Sequence, residues 1–124
     1  MRAASYKILT EKRFKLRVEE MGQIATGRGG CLATDHITVE GHRVGYAYRE
    51  LPDWEGDSGW RFFSGLETDA YVHDPTNLAI YDVNTIANYD PGIIPLLDAP
   101  FGSAFGRDAE TGKFVEEEFI PRED

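Results

Sequence analysis

The sequence predicts a single small α+β domain: a mainly antiparallel sheet with short helices. Three observations predict it. The chain has 124 residues, a common size for one domain, and 41% of them are apolar, with 7 Phe, 6 Tyr and 2 Trp to fill a core. Runs with strand-like spacing outnumber helical ones, and all are short. Gly- and Pro-rich turns separate them, with no linker, internal repeat or low-complexity tract.

Residues 6–20 read as a short helix or a strand; Phe14, Leu16 and Val18 alternate with Lys15 and Arg17, which is strand spacing. Gly27 to Gly30 form a flexible turn, and Cys31 to Asp35 a strand. Ile37-Thr38-Val39 and Arg43 to Arg49 are expected to form a hairpin centred on Gly41, with Val44, Tyr46 and Tyr48 on one face. Leu51 to Gly59 reads as a loop. Trp60 to Phe63 is an aromatic strand stopped by Ser64-Gly65, with at least two of Trp60, Phe62 and Phe63 in the core. Glu67 to His73 reads as a helical turn ended by Pro75. Leu78 to Asp82 is a strand, and Val83 to Tyr89 a helix with Asp82 as N-cap and Ile86 and Tyr89 facing inward. Pro91, Pro95 and Pro100 break the next stretch. Phe101 to Phe105 and Lys113 to Phe119 can pair across a turn at 108–112.

The net charge is −9 and unevenly distributed. Residues 1–49 carry +4, residues 50–90 carry −8 and residues 91–124 carry −5. Such a field disfavours nucleic acid and anionic membrane as partners and favours a basic protein. On composition alone the bland explanation, that acidity keeps the protein soluble, is the stronger of the two. One cysteine excludes an intrachain disulfide and fits a reducing compartment. The longest apolar cluster, Ile93 to Leu97, is too short for a membrane span, and charges interrupt the N-terminal segment, so a cytoplasmic protein is expected.

Candidate chemistry is sparse. Cys31 lies in an apolar strand, with His36, His42 and His73 scattered, which suits neither a Cys–His pair nor a zinc site. Asp53, Glu55 and Asp57 mimic the start of a calcium loop, but Ser58 and Ser64 stand where Gly and Glu are required. GRGG at 27–30 lacks the Lys and Ser/Thr of a phosphate loop. Asp82 and Asp90 offer a carboxylate pair for acid–base chemistry, and Asp82, Asn84 and Asn88 a polar cluster by the short helix; most acids of an acidic protein are surface solubilisers, however, and Asp and Asn at a strand–helix junction normally cap backbone groups. No catalytic residue, metal or cofactor is expected. Trp54, an aromatic between acids on an irregular loop, has the makeup of a binding hot spot as much as of a core cap.

Two strings carry a resemblance: DSGWRFFSGLE at 57–67 and IYDVNTIANYDP at 80–91. Upstream, DHITVEG at 35–41 and VGYAYRE at 44–50 occur in the same order. Together they resemble the immunity protein 33 family, over about residues 30–108. Residues 1–29 are then an extension packed on or leading into a domain at 30–124. The resemblance implies a bacterial immunity protein of a polymorphic toxin system, binding a cognate protein toxin and occluding it. It supplies no catalytic residues. A basic toxin is the expected partner. The first-choice contact is the loop 50–57, through Asp53, Trp54, Glu55 and Asp57; Glu67, Asp69 and Asp74 come second. The alternative is a small-molecule- or metal-binding accessory domain using the same acidic loop.

Overall fold

The computed structural model describes residues 12–120. Among the described residues, six strands form one sheet: β1 (Gly30–Thr34), β2 (Tyr46–Arg49), β3 (Asp57–Phe63), β4 (Leu78–Asp82), β5 (Ser103–Arg107) and β6 (Phe114–Glu117), in the order β4-β1-β3-β2-β5-β6. Only the β1–β3 pairing is parallel; the other four are antiparallel. The helices are short: α1 (Asp35–Thr38), α2 (Asp69–His73) and α3 (Val83–Tyr89), with 3-10 turns at Val18–Glu20, Pro75–Asn77 and Pro91–Leu96. This is the α+β, largely antiparallel architecture that the pattern predicted.

Strand alternation separates two faces. Cys31 and Ala33, Ala47, Trp60 and Phe62 point to one side, where Val83, Ile86 and Ala87 of α3, Ile37 of α1, and Ile93 and Leu97 of the proline-rich turn bury them. Trp60 and Phe62 are therefore both core, as expected, and Phe63 lies on the other side. Asp82 caps α3 by accepting from the Asn84 N–H at 2.8 Å. Ile86 is fully buried, and Tyr89 packs beside it with its hydroxyl donating to Thr38 O at 2.9 Å.

Three local expectations are corrected. Gly41 does not centre a hairpin: β3 lies between β1 and β2 in the sheet, and residues 35–38 form α1. Gly41, at φ +82°, instead closes that helix, with its N–H on Ile37 O and the His42 N–H on His36 O. These two hydrogen bonds around a left-handed glycine end the helix, and a left-handed glycine is also what a hairpin turn uses. Val44 is buried in the core rather than sharing a face with Tyr46 and Tyr48. Over the described part of 6–20, residues 12–20, the strand alternative does not form and a single 3-10 turn at Val18–Glu20 does; residues 6–11 lie outside the described residues. The backbone there and just beyond finds other partners: Lys15 N–H on Thr38 O, Leu16 N–H on the Tyr89 hydroxyl, and Gly22, Ile24 and Ala25 N–H on the amide oxygens of Asn88 and Asn84. With those groups satisfied by α1 and α3, the segment needs no ladder.

Candidate interaction surface

The sheet's second face supplies the candidate site. Leu32 of β1, Arg61 and Phe63 of β3, and Tyr48 of β2 form the floor of a groove of about 650 Å³. Ile80 and Leu78 on edge strand β4 form one wall, and Val72, His73 and Pro75 another. A second depression of about 450 Å³ adjoins it through Tyr48, Phe63 and Val72, and reaches Tyr46, Glu67 and Glu117. The face is aromatic: Tyr48 stacks on Phe63 with centroids 5.8 Å apart, and Tyr46 lies 6.0 Å from Tyr48 and 6.2 Å from Phe63. Phe119 leans on Tyr48 from the C-terminal side.

Arg61 anchors one end. Its side chain is 1% exposed, a location that excludes an unpaired charge. Its Nη1 and Nη2 donate to the two Asp57 oxygens at 3.0 and 2.8 Å, and its Nε donates to Glu50 at 2.5 Å. The Trp54 ring lies over the guanidinium, 5.2 Å from Cζ, and its edge rests on Gly30. Burial alone would lower the Arg61 pKa, but the bonds to Asp57 and Glu50 outweigh it and raise the value. Burial would raise the Asp57 pKa; the Arg61 bonds and the N–H groups of Asp53 and Gly59 hold it below the usual range instead.

A sequence spacing of four makes that pair unusual. In a regular strand, residues four apart are separated by roughly 13 Å. In the β1–β3 pairing, Gly30 opposes Asp57 whereas Leu32 opposes Arg61, so β3 carries two extra residues. Gly59, at φ +90°, sits in that bulge and draws Asp57 toward Arg61.

Of the seven acidic and aromatic candidates, Asp53, Trp54 and Asp57 gather at Arg61, Glu67 lines the second depression, and Asp69 and Asp74 bracket the segment whose Val72 and His73 wall the groove. Around Arg61, Asp53 is half exposed and lies 3.6 Å from the guanidinium, Glu55 is exposed, and Trp54 is half-buried. Asp57 has no exposed side-chain surface. Across the groove, Glu67 is likewise enclosed: it accepts from the Thr34 hydroxyl and from the Ser64 and Gly65 N–H groups. Burial would raise its pKa, and those bonds lower it. Asp69 is exposed in the first turn of α2, and Asp74, also exposed, caps the 3-10 turn by accepting from Thr76. The sequence reading missed Tyr46, Tyr48, Phe63 and Val72 as a joint surface. The alternation over 43–49 marked a Tyr46–Tyr48 face, but not that helices would leave it open.

Other arrangements bear on chemistry. His36 Nδ1 is 2.7 Å from the Ser64 hydroxyl and 3.7 Å from Glu67, so serine and carboxylate share one ring nitrogen rather than taking opposite ones as a charge-relay triad requires. The Ser64 oxygen also accepts from the Leu66 N–H, as a turn cap does. Asn84 and Asn88 clamp the backbone at Gly22. Cys31 is buried, and burial pushes its thiol pKa up, away from thiolate reactivity. Among the described residues, no group of three or more His, Cys, Asp and Glu is placed to hold a metal ion, and no helix is long and apolar enough to cross a membrane.

Comparison with known proteins gives one match. A family model described as the immunity protein Imm33 domain covers residues 31–118. No curated protein and no solved structure matches.

Proposed function

The chain belongs to the Imm33 immunity protein family, and from that membership we propose that it binds a cognate protein toxin in the cytoplasm and neutralises it by stoichiometric occlusion. The family match over residues 31–118 is the observation that carries the reading. The surface chemistry supports it: a broad aromatic sheet face rimmed by carboxylates has the composition of a protein-binding surface, with rigid rings as anchors and charges at the margin. A contact of ordinary size buries roughly 800 Å² on each partner, enough to take in the groove and both acidic flanks.

Within the proposed contact the candidates divide by exposure. Asp53, Trp54, Glu55, Asp69 and Asp74 reach a partner directly. Asp57 and Glu67, whose oxygens are engaged inside the domain, hold the loop and the β3 end in position.

The test is to produce the chain with the toxin-like product encoded beside its gene. The expected result is a one-to-one complex in solution and rescue of growth when the two are co-expressed. A neighbouring toxin that neither binds nor is silenced overturns the proposal.

A further inference from the structure

We infer that the depression formed by Tyr46, Tyr48, Phe63 and Glu117 receives a cationic side chain, a guanidinium or an ammonium, presented by the partner protein. The inference rests on the toxin-binding reading and gives that partner a chemistry.

Glu117 is placed for it by a glycine. In the β5–β6 hairpin, Gly106 opposes Val115, and Glu117 opposes Ala104. The Glu117 side chain folds back along the open face, so that a Cβ on Gly106 would collide with its carboxyl carbon and one carboxylate oxygen. The carboxylate thereby lies in the depression that Tyr46, Tyr48 and Phe63 line. Burial raises the Tyr46 pKa, and the nearby Glu117 charge raises it further.

The combination of ring faces with a carboxylate is one that this protein already uses to hold arginine. Arg61 lies under Trp54 and bonds Asp57 and Glu50. Arg107 lies against Phe114, 4.2 Å from its centroid, and donates to Asp90 at 2.7 Å. Tyr46, Tyr48, Phe63 and Glu117 repeat those elements on the open face. Ring quadrupoles attract a cation to their faces, and a neighbouring carboxylate adds charge-assisted bonding. Arg107 also borders the depression, but the Asp90 pair neutralises its charge. Glu67, on the same lining, contributes a second negative charge. A neutral apolar occupant would gain from the rings alone and leave the Glu117 charge uncompensated.

The experiment has two arms. In the first, the full chain is titrated with acetyl-glycyl-arginyl-glycine amide and with its citrulline counterpart, and aromatic ring resonances are followed by NMR. Saturable shifts of the Tyr46, Tyr48 and Phe63 rings with the arginine peptide alone are expected, weakened by about tenfold in Glu117→Gln. Equal shifts with citrulline, or none that saturate, overturn the inference. In the second arm the wild type, Glu117→Gln and Tyr48→Leu, each first shown to retain the wild-type melting temperature, are titrated with the neighbouring toxin. Loss of affinity in both variants supports the inference. Unchanged affinity overturns it while leaving toxin binding intact. If the wild type fails to bind that toxin, the toxin reading falls and the peptide arm alone decides the site. Concentration-dependent dimerisation abolished by the same variants assigns the face to a second copy of this chain and overturns the partner assignment.

Discussion

Arg61 is the side chain on which most of the local design turns. It is the sole Lys or Arg between positions 50 and 90, and it lies inside the domain with two carboxylates and an indole around it. Removing one partner of a buried pair leaves charge that the interior cannot solvate. Asp57→Asn is therefore expected to cost about 3 kcal/mol in denaturant unfolding, near the lower end for such losses because Glu50 still faces the guanidinium. The chain would fold more weakly, so a binding assay on Asp57 variants must first correct for stability. Asp57→Ala is for the same reason not a silent surface change, contrary to the expectation for an exposed loop acid. The pH dependence follows from the same bonds. Asp57 and Glu67 both have folded pKa values held below the ordinary carboxylate range. Their stabilisation is fully present above their unfolded values, about 4, and is lost as pH falls through the lower folded values. Acid unfolding should thus be steep below about pH 4, and Glu67→Gln should flatten that limb by removing one titrating group. A variant with the wild-type acid profile would show that the Thr34, Ser64 and Gly65 bonds to Glu67 add no proton-linked stability.

Among the elements, β3 shows what was legible and what was not. Trp60 to Phe63 announced itself as a strand through its aromatic alternation, and Leu78 to Asp82 followed by Val83 to Tyr89 had both the spacing and the Asp82 cap that define them. These are local signals, set by side-chain period and capping, and they carry over directly. The start of β3 at Asp57 was hidden because Asp57-Ser58-Gly59 has loop composition, and only pairing with β1 and β2 makes it strand. Gly41 was misread because a left-handed glycine serves a helix terminus and a hairpin alike, and the choice depends on which strand neighbours β1. The candidate surface was half legible for the same reason: its charges and Trp54 stood out, whereas its aromatic floor depends on which sheet face the helices cover. Gly59 ties these points together. Its φ of +90° is a conformation that side chains resist, and the space beside it is occupied by the Glu50 carbonyl. Gly59→Ala is expected to destabilise by about 2–3 kcal/mol, combining backbone strain with displacement of the Glu50 segment. Because the bulge sets the Asp57–Arg61 distance, the change should also loosen Trp54 and shift its fluorescence to the red. Destabilisation without any spectral change would detach the bulge from the Trp54 loop.

At the scale of the whole molecule, the charge of −9 and the open sheet face divide the work of association between them. Exposed acids such as Asp53, Glu55, Asp69, Asp74 and Glu117 act at long range, where salt screens them. The rings of Tyr46, Tyr48 and Phe63 act only after contact, by excluding water and filling space. The −8 of residues 50–90 already counts Arg61, which offsets one of the two charges of Glu50 and Asp57; Arg107, from outside that span, offsets Asp90 as well. For a basic toxin this division predicts two separable kinetic signatures. Raising ionic strength should slow the association rate by about tenfold or more while changing dissociation little, as steering by complementary charge requires. Asp53→Asn with Glu55→Gln should reduce that salt sensitivity and leave dissociation near the wild-type rate. Tyr48→Leu should do the reverse, accelerating dissociation while the salt dependence of association persists, because it removes a short-range anchor and no charge. Rapid-mixing kinetics over a salt series measure both rates directly. An association rate indifferent to salt would mean that the toxin meets this domain through its rings alone, with the acidic rim serving only to keep the chain in solution.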